Sequence, residues 1–153
     1  GRRGVLLTGK AANVPGERPD GVIARDYAPF SLLLPRGAAT VHHGGIGSTS
    51  QALRAGRPSV VVPHAHDQFN NAVHAVRLGV AAMVRRGRLD VDRLVRALRA
   101  VLDDPAVAAR AATLGERLRS EPSGAEVAAD LLEARARGAV TPPGAAPPTA
   151  RVR

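Results

Sequence analysis

The run Ser59-Val60-Val61-Val62-Pro63 limits the fold more than any other stretch of the chain. Three consecutive valines give a strand no polar side to turn toward water, so both of its faces must be covered. Strands of that kind belong to parallel sheets with helices above and below. The neighbouring segments repeat the same unit. Residues 4–8, 21–27 and 38–43 are further short β-branched runs, and residues 81–85 read as a last short strand. Between them lie a loop over 10–20, with Pro15-Gly16 and Pro19-Asp20-Gly21 as turn signals, and a short helix or turn over 29–35. A helix over 48–54 is closed by Gly56 and Pro58, and one over 67–78 has Asp67 near its N-cap and Gly79 at its end. The expected fold is α/β, a Rossmann-like parallel sheet with helices on both faces. Ligands of such sheets bind at the carboxyl ends of the strands, where helix N-termini point.

Beyond residue 85 the period turns helical. Val91, Leu94, Val95, Leu98, Val101 and Leu102 fall on one face. Asp103-Asp104-Pro105 breaks that helix and starts another, which runs to about Arg119. A third covers 123–137 and is expected to turn Val127, Leu131 and Leu132 inward. From Gly138 the chain is rich in Pro, Ala and Gly, and Pro142-Pro143 and Pro147-Pro148 rule out a helix interior. The expected division is a folded domain over 1–137 and a disordered tail over 138–153.

Composition excludes several functions. A chain of 153 residues with 44% hydrophobic content suits one globular domain. There is no Cys, so disulfides, thiolate metal sites and a Cys nucleophile are excluded, and a reducing cytoplasm is a comfortable setting. No apolar run approaches the roughly 20 residues that span a bilayer. The first residues, Gly1-Arg2-Arg3-Gly4, are neither a signal peptide nor a Met start, so the chain is expected to begin inside something longer. The net charge of +9 is spread from Arg2 to Arg153, and only Tyr27, Phe30 and Phe69 are available to stack on bases. That is too few for a single-strand platform, so no nucleic-acid partner is expected.

Two loops carry chemistry. His42-His43-Gly44-Gly45-Ile46-Gly47-Ser48-Thr49-Ser50-Gln51 leaves a buried strand and opens a helix. Its glycines allow a tight turn and close approach of a ligand. The helix start supplies unpaired N–H groups and a positive dipole end, with Ser48, Thr49 and the His43 ring as further donors. The set suits a diphosphate. Glycines alone fit an empty strand-to-helix connection as well. The second loop, Pro63-His64-Ala65-His66-Asp67-Gln68-Phe69-Asn70-Asn71, lies at the end of the next strand and opens on the same sheet edge. Asp67 and Gln68 suit sugar hydroxyls, with simple N-capping as the other reading of Asp67. His64, His66 and Asp67 lack a further well-spaced ligand, so no metal is expected. His42 is expected to close its strand, and His74 to be a partly buried structural residue.

In combination, HHGGIGSTSQAL, AGRPSVVVP, DQFNNA and RLGVA resemble the donor-binding signature of the family 1, GT-B glycosyltransferases, nearest the bacterial macrolide, sterol and rhamnosyl transferase branch. The resemblance runs from about Val5 to about Arg137 and implies the C-terminal, nucleotide-sugar-binding half of a GT-B fold, without that half's first strand. It implies that His43 contacts the donor diphosphate, with Gly44, Gly45, Gly47, Ser48 and Thr49 around the phosphate oxygens. Gln51 stands where an acidic residue often holds the ribose, and Asp67 and Gln68 match the pair that reads the sugar. Tyr27, Pro29 and Phe30 stand at the nucleobase. Phe30 replaces a Gln there, which leaves uracil or thymine open. The implied reaction is inverting transfer of a hexose from a UDP- or dTDP-sugar to a small-molecule or lipid hydroxyl, with no cofactor. The catalytic base belongs to an N-terminal domain this chain does not contain, so the chain alone is expected to be inactive. A truncated nucleotide-binding domain and a GT-B epimerase are the alternatives, and the HHGG…DQ combination argues against the epimerase.

Overall fold

The structure is a computed structural model that describes residues 2–10, 13–14 and 16–137. The tail expected over 138–153 lies outside the described residues. The chain divides into two compact units, Gly1–Leu118 and Arg119–Arg153.

The first unit holds five strands, β1 (Gly4–Leu7), β2 (Val22–Arg25), β3 (Thr40–His42), β4 (Ser59–Val61) and β5 (Ala81–Met83). Every pairing among them is parallel. The ladder comes in two pieces, β1-β2 and β3-β4-β5. Among the described residues five α-helices accompany the strands: α1 (Phe30–Leu33), α2 (Ile46–Ala55), α3 (Gln68–Arg77), α4 (Val91–Leu102) and α5 (Pro105–Ser120), the last running past Leu118.

Strand period places the core on both faces of β3-β4-β5. Val60, Val62, Val84 and Ala82 pack with Val101, Leu94 and Leu98 of α4. Ala81, the residue beside Ala82, turns the other way and packs with Ala75 of α3, Leu53 of α2, and Ala111 and Leu114 of α5. Val60 is fully buried, and burial of a valine side chain stabilises by roughly 1.5–2 kcal/mol. The valine run therefore does what its composition requires: Val60 and Val62 pack against α4, and Val61 between them is 1% exposed.

α2 stops where Gly56 takes a left-handed conformation (φ 67°) that returns its N–H to Leu53. Pro105 occupies the first position of α5, and the Asp104 carboxylate accepts the Ala106 N–H at 2.8 Å. In α4 the buried stripe is narrower than the apolar pattern: Leu94, Ala97, Leu98 and Val101 face the sheet, while Val91 and Val95 are exposed.

The second unit contains α6 (Gly124–Ala136). It opens on a full capping box, with the Ser123 hydroxyl accepting from Glu126 N and the Glu126 carboxylate accepting from Ser123 N. The expectation that Val127, Leu131 and Leu132 turn inward is wrong. All three are exposed, Leu132 at 71%, and no residue of α6 is buried. No helix among those residues is long and apolar enough to cross a membrane.

Candidate functional site

The glycine-rich loop leaves β3 at His42 and enters α2 at Ile46, two residues before the start expected at Ser48. Gly45 stands at the N-cap with extended backbone, and its carbonyl accepts the Thr49 N–H at 2.9 Å. No side chain caps this end. The N–H groups of Ile46, Gly47 and Ser48 therefore have no intrahelical partner and point out of the helix start. A Cβ built on Gly47 would meet nothing within 4 Å, so the approach to these donors is open. The His43 ring lies over Gly45: a Cβ on Gly45 would fall 2.5 Å from its Nε2. One imidazole and three amides thus converge where the helix dipole is positive.

The earlier helix start changes the part of Thr49. It falls one turn in, on the same face as buried Ala52, and is itself 7% exposed. Its N–H is used by Gly45, and its Oγ1 is enclosed without a partner. Ser48, one residue earlier, stays partly open at the helix start. Gln51 is exposed one turn beyond Ser48 and on its side of the helix.

Gly44, expected against the phosphates, also holds the loop together through both of its backbone groups. Its N–H is donated to His42 Nδ1 at 3.1 Å, and its carbonyl accepts from Asn71 Nδ2 at 2.9 Å. Its φ is +89°, and a Cβ there would lie 2.7 Å from Val61 Cγ1 and 3.1 Å from the Gln68 carbonyl. Only glycine meets both conditions. His42 closes β3 as expected and also accepts this bond, which requires an unprotonated Nδ1. Burial, and then the neighbouring His43, lower its pKa from 6.5 to about 4.

The second loop follows β4. Asp67 holds the N-cap position, its carbonyl accepting the Asn71 N–H at 2.9 Å, but its backbone is helical and its side chain accepts no capping bond. One carboxylate oxygen, Oδ2, accepts from Asn71 Nδ2 at 2.8 Å instead. Gln68 uses its Oε1 to gather the His64 and Ala65 N–H groups, at 2.8 and 3.2 Å, which leaves its NH2 group to donate. Between these residues His66 sits at φ 55°, a conformation that few non-glycine residues adopt.

At the third strand end the turn after β5 brings Arg85, Arg86 and Arg88 to the same sheet edge. Together with His64 and Phe69 they line an open concavity of about 680 Å³. The nucleobase candidates follow β2. Pro29 precedes α1, Phe30 begins it, and Tyr27 is 75% exposed. α1 packs on α2.

Sequence reasoning missed three contributions. His42 and Asn71 fix Gly44, and the arginines after β5 add positive charge. Their signals are a His two residues before the first glycine, the second Asn of DQFNN, and the charged Arg85-Arg86-Gly87-Arg88 run that follows a strand. His74, expected to be partly buried, is exposed. Among the described residues no three His, Asp or Glu side chains are grouped to hold a metal.

Residues 5–134 match the model of the family described as Erythromycin biosynthesis protein CIII-like, C-terminal domain. The O-mycaminosyltylonolide 6-deoxyallosyltransferase of Streptomyces fradiae is 40% identical over 133 residues, which is 86% of this chain and 30% of that protein. The erythronolide mycarosyltransferase of Saccharopolyspora erythraea is 32% identical over 88% of this chain and 32% of its own length. Among solved structures, the glycotransferase of kitacinnamycin superposes with a TM-score of 0.74 at 37% identity, over 84% of this chain and 34% of that one. The glycosyltransferase VinC in complex with dTDP gives 0.73 at 29% identity, over 90% and 42%. The chain thus spans about a third of the length of the curated relatives it matches. With its parallel strands, its helices on both faces and its glycine loop at a helix start, the chain belongs to the erythromycin biosynthesis protein CIII-like, C-terminal domain family of the family 1, GT-B glycosyltransferases.

Proposed function

We propose that this chain is the donor-binding part of a hexosyltransferase that takes a UDP- or dTDP-sugar and transfers the sugar, with inversion, to a hydroxyl of a small molecule or lipid. One observation carries the reading: His43 and the free N–H groups of Ile46, Gly47 and Ser48 meet at an open helix start. In the transfer, the acceptor oxygen bonds to the anomeric carbon as the bond from that carbon to the diphosphate breaks. Negative charge then grows on the leaving phosphate, and donors fixed at that point stabilise the transition state more than the ground state. Ser48 and Gln51 extend the donor set toward the ribose, Tyr27, Pro29 and Phe30 offer a surface to the base, and Asp67 Oδ1 and the Gln68 NH2 group face the sugar. Arg85, Arg86 and Arg88 raise the local positive potential. The acceptor's proton goes to a base outside this chain, and no metal or cofactor takes part. The names of the relatives, which include small-molecule glycosides, favour a small-molecule acceptor.

The broken ladder fits the same reading. In a doubly wound sheet of order 3-2-1-4-5-6, β1 to β5 take the places of strands two to six. The break between β1 and β3 then falls where strand one belongs.

Titration calorimetry with dTDP and UDP tests the site. Binding of at least one is expected, together with a tens- to hundreds-fold loss of turnover for His43→Ala in a protein carrying both halves, the usual cost of one such donor. Absence of heat with both nucleotides defeats the proposal.

A further inference from the structure

The two ligand loops are tied to each other through one side chain. Asn71 lies on the first turns of α3, and its single NH2 group reaches both the Gly44 carbonyl, at 2.9 Å, and Asp67 Oδ2, at 2.8 Å. Both protons are thereby used. Gly44 is fixed from its other side by His42, at 3.1 Å, and backed by Val61 and the Gln68 carbonyl, so it has no freedom to follow a moving partner. At the far end, one oxygen of Asp67 is held and the other is left to project. We infer that Asn71 is a positioning residue: it locks the diphosphate loop and the sugar loop into one rigid unit and so sets the spacing at which a diphosphate and its attached sugar are read together. This rests on the donor-binding reading above.

The chemistry of the contact supports the assignment. Asn71 Nδ2 donates to a carboxylate, a charge-assisted bond, and to a half-buried main-chain carbonyl that is otherwise left unpaired. Asp at this position could donate to neither acceptor and would set a second carboxylate beside Asp67. Ala would leave the carbonyl unpaired and the Asp67 side chain loose. Asn71 does not itself need to touch the ligand. Its effect should therefore appear in the advantage of a nucleotide-sugar over the bare nucleotide, since only the nucleotide-sugar engages both loops.

The test uses the 153-residue chain with dTDP and dTDP-glucose as probes, titrated by calorimetry against wild type, Asn71→Ala and Asn71→Asp. Wild type is expected to bind dTDP-glucose more tightly than dTDP. In both variants the ratio of the two affinities should fall by about tenfold, with dTDP affinity changed less than threefold. A side chain that only supports the fold would weaken both ligands by the same factor, and that result overturns the inference. Equal wild-type affinity for the two probes overturns it as well. No binding of either probe to wild type instead defeats the donor-binding reading. Should both variants fail to fold, the Asn71 carboxamide protons of wild type still decide the matter. Retained slow exchange and an unmoved resonance on adding dTDP, with a shift on adding dTDP-glucose, is the expected result. Solvent-fast protons in the free chain overturn the clasp.

Discussion

The β1-β2 pair and the β3-β4-β5 sheet are built from the same materials, with opposite results. Both are parallel, both have strands of three or four residues, and both are rich in Val, Leu, Ile and Ala. In β4 every residue is buried. In β1 and β2 the registered pair Val5 and Ile23 remains 47% and 50% exposed. The ladder hydrogen bonds exist in both places, so pairing does not make the difference. What differs is cover: α4 on one face of the larger sheet, and α2, α3 and α5 on the other. The loops that gather the candidate ligand donors leave β4, buried throughout, and its neighbour β3, whose middle residue Val41 is still 50% exposed. A rigid floor under these loops keeps His43, Gly44 and Asn71 at fixed separations.

The sharpest way to break this comparison is to remove the same two methyl groups from each sheet. Val60→Ala removes them where the side chain is fully buried against α4, and the cavity left there should cost about 2–3 kcal/mol in urea denaturation. Val5→Ala should cost less than about 0.5 kcal/mol, because its side chain is already half in water. Equal losses would mean that β1-β2 is covered in solution by something the strands alone do not supply.

The same contrast explains what was legible in the sequence. Three adjacent valines announce a strand covered on both faces, and the glycine run after residues 38–43 announces a helix start with open amides. Local patterns of this kind report on neighbours close in sequence. They do not report on what lies across a gap. Val5, Val91, Val95 and Leu132 are as apolar as Val60, and only the arrangement in space separates the buried from the exposed. The site shows the same limit. His43 and the Gly-loop amides were readable because strand, loop and helix follow one another directly. The roles of Gly44 and Asn71 depend on a contact 27 residues apart, and no local pattern encodes it. α2 starts two residues before the expected Ser48, with Gly45 at its N-cap and no capping side chain. The left-handed bend at Gly44, pinned by His42 and Asn71, turns the chain into the helix at this earlier point.

Acid should separate the two sheets as well. His42 closes β3, while residues 4–25 carry no histidine. Its folded pKa of about 4 lies below the ordinary 6.5, so between those values the unfolded chain binds a proton that the folded chain does not. Its contribution is complete above pH 6.5 and is lost as pH falls toward 4, a change on the order of 2 kcal/mol after allowing for its partial exposure. Asp90 and Glu126, whose carboxyls are held below their usual values first by backbone N–H groups, respond only at lower pH. Thermal melts at pH 7 and pH 5 should therefore show a loss that His42→Asn removes, since an amide oxygen accepts the Gly44 N–H without titrating. An unchanged slope in that variant would place the acid sensitivity elsewhere.

The smallest expected effect has the opposite sign. Thr49, one turn into α2, and Thr8, directly after β1, carry hydroxyls that differ. Thr8 Oγ1 makes a long bond of 3.4 Å to the Arg25 carbonyl, while Thr49 Oγ1 is enclosed with no partner. A buried hydroxyl that has given up water for nothing costs about 1 kcal/mol, and valine has nearly the same shape. Thr49→Val should therefore stabilise the chain by about 1 kcal/mol and leave dTDP affinity unchanged, whereas Thr8→Val should shift stability by no more than about 0.5 kcal/mol, toward loss. If Thr49→Val instead weakens dTDP binding, the hydroxyl must swing out to the phosphate when the ligand arrives. Its unpaired state would then be the resting form of a ligand contact, and the covered half of the sheet would be less rigid than its packing implies.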